Sequence, residues 1–236
     1  MHSEATQKIN QSGSLLQKVK QAVIGIIGRD NANRLANPFY DWAAQRRTRK
    51  RLLALPKSNL LVNLGCGPRG LKGWLNVDMA RALHIDIVWN ATHGLPFAAE
   101  SCTAILNEHM IEHIAKEDAE KLLQECWRVL QPGGVLRIST PDAELYLRSY
   151  LGDGEFLNHP SFEQKADTRM DRINMMMREY GQHLWIYDAE SLSRLLTKAG
   201  FASVVRQSFG ISQHPAMQGI DYEIRAFESL YVEAVK

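Results

Sequence analysis

The sequence predicts an α/β protein whose core is a doubly wound, mostly parallel sheet with helices on both faces. Three observations lead there. The apolar run Leu60-Leu61-Val62-Asn63-Leu64 breaks at Gly65-Cys66-Gly67-Pro68, and a second run, Trp74-Leu75-Asn76-Val77, ends in Asp78. Strand-length runs follow near 85–89, at 103–107 and at 135–140, the last two separated by an amphipathic stretch over 116–130. In that stretch Ala119, Leu122, Leu123, Cys126, Trp127 and Leu130 recur at helical spacing, and Pro132-Gly133-Gly134 stops the helix and turns the chain into the next strand. Strands that alternate with helices connect in parallel, and a parallel sheet is covered on both faces. Ligands of such sheets sit beyond the carboxyl ends of the strands, where Gly65, Asp78 and Glu108 fall.

Taken in order, residues 1–14 are polar and expected to fray. Apolar residues at 15, 16, 19, 22, 23, 26 and 27 predict a helix with Lys18 and Lys20 outside its stripe. That helix suits packing on the domain, and equally a peripheral contact with a membrane surface or a partner. A second helix starts at Pro38-Phe39-Tyr40-Asp41-Trp42 and continues through Arg51 and Leu55. Its basic run Arg46 to Arg51 reads as a solvated face. The run could track RNA phosphates, but no aromatic platform or nucleic-acid motif accompanies it, which disfavours a nucleic-acid partner.

The chain thus divides into an N-terminal helical extension, 1–56, and a domain over 57–236 with a helical insertion at about 142–182. In the insertion, Asp142 to Leu151 and Met170 to Tyr180 read as helices and Gly152-Asp153-Gly154 as a turn. Met175-Met176-Met177 is either core or an adaptable apolar surface over the site. Asp188 should cap a helix over 189–199 that stops at Gly200, and Glu228 to Ala234 should be a strand at the edge region of the sheet.

Composition excludes several classes. At 236 residues, 45% apolar and 23% charged, the chain suits one soluble α/β domain plus an extension, and a net charge of +2 gives no global field for nucleic acid or anionic membrane. The three cysteines Cys66, Cys102 and Cys126 have no C-x-x-C spacing and imply a reducing compartment without disulfides or structural zinc. The cytoplasm is the expected location. Met1 to Asn10 lacks the apolar core of a secretory signal, and the apolar patch Ala22 to Ile27 is far short of the roughly 20 residues a bilayer span requires.

The run GCGPRG, Gly65 to Gly70, satisfies G-x-G-x-x-G, yet its setting argues against a nicotinamide enzyme. Pro68, Gly70 and Gly73 crowd the place where a helix should open, and Asp78 comes 13 residues after Gly65 instead of about 20. Joined in order with Leu95-Pro96-Phe97, Thr103 to His109 and Val129 to Gly134, the run resembles the class I methyltransferases that use S-adenosylmethionine. It looks closest to small bacterial members often associated with surface-polysaccharide genes, over roughly residues 60 to 140. The resemblance implies a Rossmann-like fold and S-adenosyl-L-methionine as cofactor. It implies that Gly65 and Gly67 let the backbone approach the cofactor's amino-acid part and that Asp78 accepts from both ribose hydroxyls. Asn90 stands where the pattern usually has Asp facing the adenine. Asn63, Cys66, Met79, Ala91, Leu95, Asn107 and Glu108 complete the expected cofactor-binding set, with the Cys66 thiol read as packing.

Glu108-His109-Met110-Ile111-Glu112-His113 contains H-x-x-E-H, a zinc-protease signature that would put both histidines on one helical face. No metal is expected, because the segment follows a strand directly, shows no third ligand, and matches the EH pattern of the resembled family. Glu108 and His109 at the strand end and His183 in Gly181-Gln182-His183 are the candidate catalytic residues, with an imidazole as general base if the acceptor is a hydroxyl. His113 reads as structural and Tyr187 as a weaker substrate contact. The expected activity is methyl transfer to a small-molecule or saccharide acceptor, at oxygen. A non-catalytic protein that binds S-adenosylmethionine and an RNA methyltransferase remain as alternatives, and the oligomeric state is open.

Overall fold

The computed structural model describes residues 38–162 and 166–236. The chain divides into two compact units between Arg46 and Arg47. Of the first unit only residues 38–46 are described, so the expected helix over 15–27 and its membrane contact lie outside the described residues, as do residues 1–14. The first described helix, α1 (Pro38–Leu53), crosses that boundary. The second unit begins at Arg47, which donates to the Ala82 carbonyl (3.0 Å), and the neighbouring Thr48 Oγ1 accepts from Val88 N (2.9 Å).

The second unit is a seven-stranded sheet: β1 (Leu60–Leu64), β2 (Leu75–Asp78), β3 (Ile87–Val88), β4 (Cys102–Glu108), β5 (Leu130–Pro141), β6 (Ser203–Gln207) and β7 (Ser229–Val235), in the order β3-β2-β1-β4-β5-β7-β6. The first five run parallel, and β7 runs antiparallel to both β5 and β6. Each central strand is apolar on both sides because both faces are covered. In β4, Ile105 joins one core while Ala104 and Leu106 join the other. The larger core packs β1, β4, β5 and β7 against α2 (Lys116–Val129) and α5 (Ala189–Lys198). Helix α2 contributes Ala119, Leu122, Leu123, Cys126 and Val129 to it, while Trp127 of the predicted stripe stays 37% exposed. Helix α5 starts in a capping box: Asp188 accepts from Ser191 N at 2.8 Å and Ser191 Oγ accepts from Asp188 N at 3.1 Å.

Two strands depart from expectation. The strand expected over 135–140 starts at Leu130, and Pro132-Gly133-Gly134 forms an irregularity inside it, with Leu130 opposite Cys102 and Val135 opposite Ala104. β7 is an interior strand rather than one at the edge, with Leu230 to Ala234 all buried. The edge on that side is β6, whose short Ser-Val-Val-Arg-Gln run is largely exposed and has little periodicity to announce it.

The insertion has its own small core. Helices α3 (Ala143–Tyr150) and α4 (Arg169–Arg178) bring Tyr146, Leu157, Phe162, Ile173 and Met176 together. Within the methionine run Met176 is core, whereas Met177 is 42% exposed. Among the described residues no helix is long and apolar enough to cross a membrane.

Candidate active site

The carboxyl ends of β1, β2 and β4 converge on the loop Gly65 to Gly70. The loop leaves β1 with Gly65 at φ +71° and Gly67 at φ +49°, left-handed values that glycine adopts without strain. A Cβ on Gly65 would collide with the side chain of Met110, while one on Gly67 would meet nothing within 4 Å. The backbone is therefore overlaid by Met110 at the first glycine and open at the second.

Two asparagines hold this loop from beneath. Asn63 and Asn76 are cross-strand neighbours on β1 and β2, on the face away from the larger core. Asn63 Nδ2 donates to the Arg69 carbonyl (2.9 Å) and to Asn76 Oδ1 (3.0 Å), and Asn76 Oδ1 also accepts from Leu71 N (2.7 Å). Asn63, expected among the cofactor contacts, is thus 3% exposed with its amide committed to bracing the loop. Sequence reasoning did not single out Asn76, although its place two residues before Asp78 on the same strand was a usable signal.

Asp78 ends β2 with a half-buried carboxylate. Oδ2 accepts from Gly67 N (2.8 Å) and Oδ1 from Ala80 N (2.7 Å). Each oxygen keeps a further lone pair, so the group is fixed in place without being saturated. Met79 beside it is 71% exposed. Cys66 is buried, and burial together with the Asp78 charge pushes its thiol up to about 12. Asn90 caps the short turn Ala91–His93, its Oδ1 accepting from Thr92 N (3.1 Å) and Thr92 Oγ1 (2.8 Å). Ala91 and Leu95 belong to the core, each 5% exposed. Leu95 is clamped by α2: its N donates to Glu125 (2.8 Å) and its carbonyl accepts from Arg128 (3.1 Å).

At the end of β4, Asn107 is 2% exposed, its Nδ2 contacting Met110 Sδ at 2.9 Å while its Oδ1 has no hydrogen-bond partner. The Glu108 carboxylate is held by the Arg69 guanidinium and by Tyr222 N (2.7 Å), and Arg69 also donates to the Ile220 carbonyl. Arg69, which the sequence did not mark, thereby ties the glycine loop, β4 and the segment after β6 together.

The H-x-x-E-H residues do not share one helical face. His109 sits at φ +47°, outside the short 3-10 turn Ile111–His113, and the two imidazoles diverge. His109 Nε2 lies 2.6 Å from Ser229 Oγ, and its Nδ1 is 3.2 Å from Glu112 Oε1, at ion-pair distance but off the hydrogen-bond direction. Glu112 is fully buried and accepts from Thr140 Oγ1 (3.1 Å). His113 faces the insertion, its ring edge-on to that of His183 at 4.8 Å. His183 Nδ1 points at the Met176 carbonyl and Nε2 at Glu179 (2.8 Å). Burial alone would lower its pKa, but the Glu179 hydrogen bond, the Met176 carbonyl and the Glu112 charge outweigh it and raise it. With acceptors facing both nitrogens, the His183 ring has no free lone pair to take an acceptor's proton in this arrangement. The Tyr187 hydroxyl is buried without a partner, and burial first, then the Glu112 charge, raises its pKa.

The arrangement leaves acceptor lone pairs on Asp78 and open space beside Gly67. Comparison with known proteins identifies the family. The sequence profile of a family described as a methyltransferase domain matches residues 37–207. The chain is 28% identical over 142 residues to a probable S-adenosylmethionine-dependent methyltransferase of Mycolicibacterium smegmatis, covering 60% of this chain and 44% of that one. It is 39% identical over 72 residues to malonyl-[acyl-carrier protein] O-methyltransferase 1 of Coxiella burnetii, covering 30% of this chain and 25% of that one. The chain thus spans less than half the length of these relatives. A solved SAM-dependent methyltransferase from Archaeoglobus fulgidus is 14% identical, with a TM-score of 0.47 over 84% of this chain and 94% of that one.

Proposed function

This chain belongs to the methyltransferase-domain family, and from that premise we propose that it binds S-adenosylmethionine and methylates a small-molecule or saccharide acceptor at oxygen. The observation that carries the proposal is the pairing of an open, positive-φ Gly67 with the Asp78 carboxylate, fixed by the loop's own amide yet unsaturated. The residues present fit the group. Asp78 would take the ribose hydroxyls, and the unpartnered Oδ1 of buried Asn107 offers an acceptor next to the glycine loop. When bound, the cofactor supplies the methyl group and its sulfonium leaving group. The protein's task is to align the acceptor and remove its proton.

Among the candidate bases, Glu108 is tied to Arg69, and His183 holds acceptors on both nitrogens. His109 is the candidate we carry forward. Its position at a strand end is rigid, and to take a proton its Nε2 must leave Ser229 Oγ, whose own proton goes to the Arg225 carbonyl.

Calorimetry with S-adenosylhomocysteine tests the cofactor assignment. Asp78→Asn, which keeps the shape and removes the charge, should weaken binding at least about tenfold, since charge-assisted hydrogen bonds contribute about 1.5–3 kcal/mol each. Unchanged affinity would remove the ribose assignment, and tighter binding of NAD would remove the cofactor class. Incubation of glycan and metabolite pools with methyl-labelled cofactor identifies the acceptor. With that acceptor, His109→Asn should lose about 10²–10⁴ in turnover at unchanged S-adenosylhomocysteine affinity, and turnover near wild type would discard His109 as base.

A further inference from the structure

We propose that Glu112, His113 and His183 form a binding site for a divalent transition cation of the zinc class, closed by Glu179. The residues come from two separate places in the chain. Glu112 and His113 lie on the turn after β4, and His183 lies where the insertion returns to the sheet. Backbone bonds fix the meeting: Leu184 N (2.8 Å) and Trp185 N (3.2 Å) both donate to the Glu112 carbonyl. One donor atom from each of the three side chains then lies within 4.8 Å of the others.

Glu112 supplies the observation that asks for a ligand. Its side chain is 0% exposed, and Oε1, 3.2 Å from His109 Nδ1, makes no hydrogen bond. A buried carboxylate oxygen without a hydrogen bond is costly, and a cation between Glu112 and the two imidazoles would lower that cost. Glu179 adds a second carboxylate, with Oε2 2.8 Å from His183 Nε2 and 3.7 Å from His113 Nε2. It is presented by a backbone in the left-handed region at both Glu179 (φ +34°) and Tyr180 (φ +57°).

The donor set selects the metal. Two imidazoles with carboxylates suit zinc and its neighbours, whereas magnesium and calcium prefer all-oxygen shells. Two neutral imidazoles and two carboxylates carry a charge of −2 that one divalent cation balances. Arg225, whose charge also reaches Glu179, is already bonded to Glu228 at 2.7 Å. Tetrahedral donors about 2.0–2.2 Å from zinc stand roughly 3.3–3.6 Å apart. Closing from 4.8 Å therefore takes at most about 1.2–1.5 Å of relative side-chain movement. His109 beside Oε1 stands behind the ligating carboxylate, where metal sites place an orienting partner.

The test uses the untagged full chain, stripped with a chelator and titrated with zinc chloride and, separately, cobalt chloride. The expected result is one cation per chain, a visible cobalt spectrum of four-coordinate type, and a zinc-dependent rise in melting temperature. His113→Gln and His183→Gln should each weaken cation binding at least about tenfold, while His93→Gln, remote in sequence and exposed, binds as wild type. If His183→Gln does not fold, His113→Gln decides, since its side chain is already 32% exposed. No uptake of either cation by the wild type, or uptake unchanged in the folded histidine variants, overturns the proposal.

Discussion

Gly65 passes under Met110 at a positive φ, and Asp78 is held by the amide of Gly67. These two positions were legible in the sequence because the apolar run, the glycines and the acid that follows lie within 13 residues of one another. Arg69, Asn76 and Glu112 were not legible to the same degree. Their work depends on partners that folding brings up, such as Ile220 for Arg69, 151 residues away, and the motif around Glu112 and the place of Asn76 before Asp78 do not name those partners. The cysteines make a residue-scale prediction. All three are buried, Cys66 is pushed up to about 12 and Cys102 to about 11 by burial above all, and Cys126 is raised for the same reason. At pH 8 the native protein should therefore react negligibly with Ellman's reagent and release three equivalents of thiol colour only when denatured. Prompt reaction of Cys66 in the native state would show the glycine loop to be more open than described.

At the scale of elements, β5 and β7 are joined by a buried charge network that no periodicity announces. Arg137 is 0% exposed and uses all five of its N–H donors: Asp221 accepts at 2.7 and 2.5 Å, Glu233 at 2.9 Å, and the Ile211 and Ser208 carbonyls at 2.8 and 3.2 Å. Glu233 is its direct cross-strand neighbour, and Asp221 anchors the long segment between β6 and β7. Arg137→Met should destabilise the fold by about 3–5 kcal/mol, because it strands two buried carboxylates. Urea unfolding measures this, and a loss under about 1 kcal/mol would mean that the carboxylates find water or protons instead. Helix α2 makes a second, pH-dependent prediction. The Arg128 hydrogen bond above all, aided by Leu95 N and opposed by burial, holds Glu125 below the usual carboxylate range. A depressed folded pKa stabilises above the ordinary glutamate pKa and ceases to do so as pH falls through the folded value. The melting-temperature deficit of Glu125→Gln should thus be full at pH 7 and shrink as the pH falls below the ordinary glutamate pKa. A deficit independent of pH would show that the loss lies in shape and not in charge.

For the whole molecule, the sequence carried the parallel half of the sheet, because β1, β2, β4 and β5 are apolar on both faces and punctuated by glycine or proline. The antiparallel half was only partly legible. β7 reads as a strand, but its place inside the sheet depends on β6, whose exposed, mixed run looks like a loop until it is paired. The insertion between β5 and α5 was recognisable as a break in the alternation, though the separate aromatic cluster it builds was not. The H-x-x-E-H pattern misled in another way. Its helical spacing suggested a shared face, whereas the chain leaves β4 through a left-handed His109 that turns the two imidazoles apart.

The strand order also fixes a timetable for synthesis. Residues 203–207 leave the ribosome before residues 229–235, yet β6 can join the sheet only through β7. At about 5–20 residues per second, the 22 positions from Gln207 to Ser229 take roughly one to four seconds to translate. Throughout that interval the growing polypeptide carries a bare β5 margin, together with an Arg137 that has not yet met Glu233. An open margin of that kind invites pairing with other chains. Nascent-chain chaperones should accordingly crowd onto this polypeptide once β5 has emerged and leave when β7 does. A stop codon placed just ahead of Ser229 should yield inclusion bodies, not a slightly shortened soluble protein.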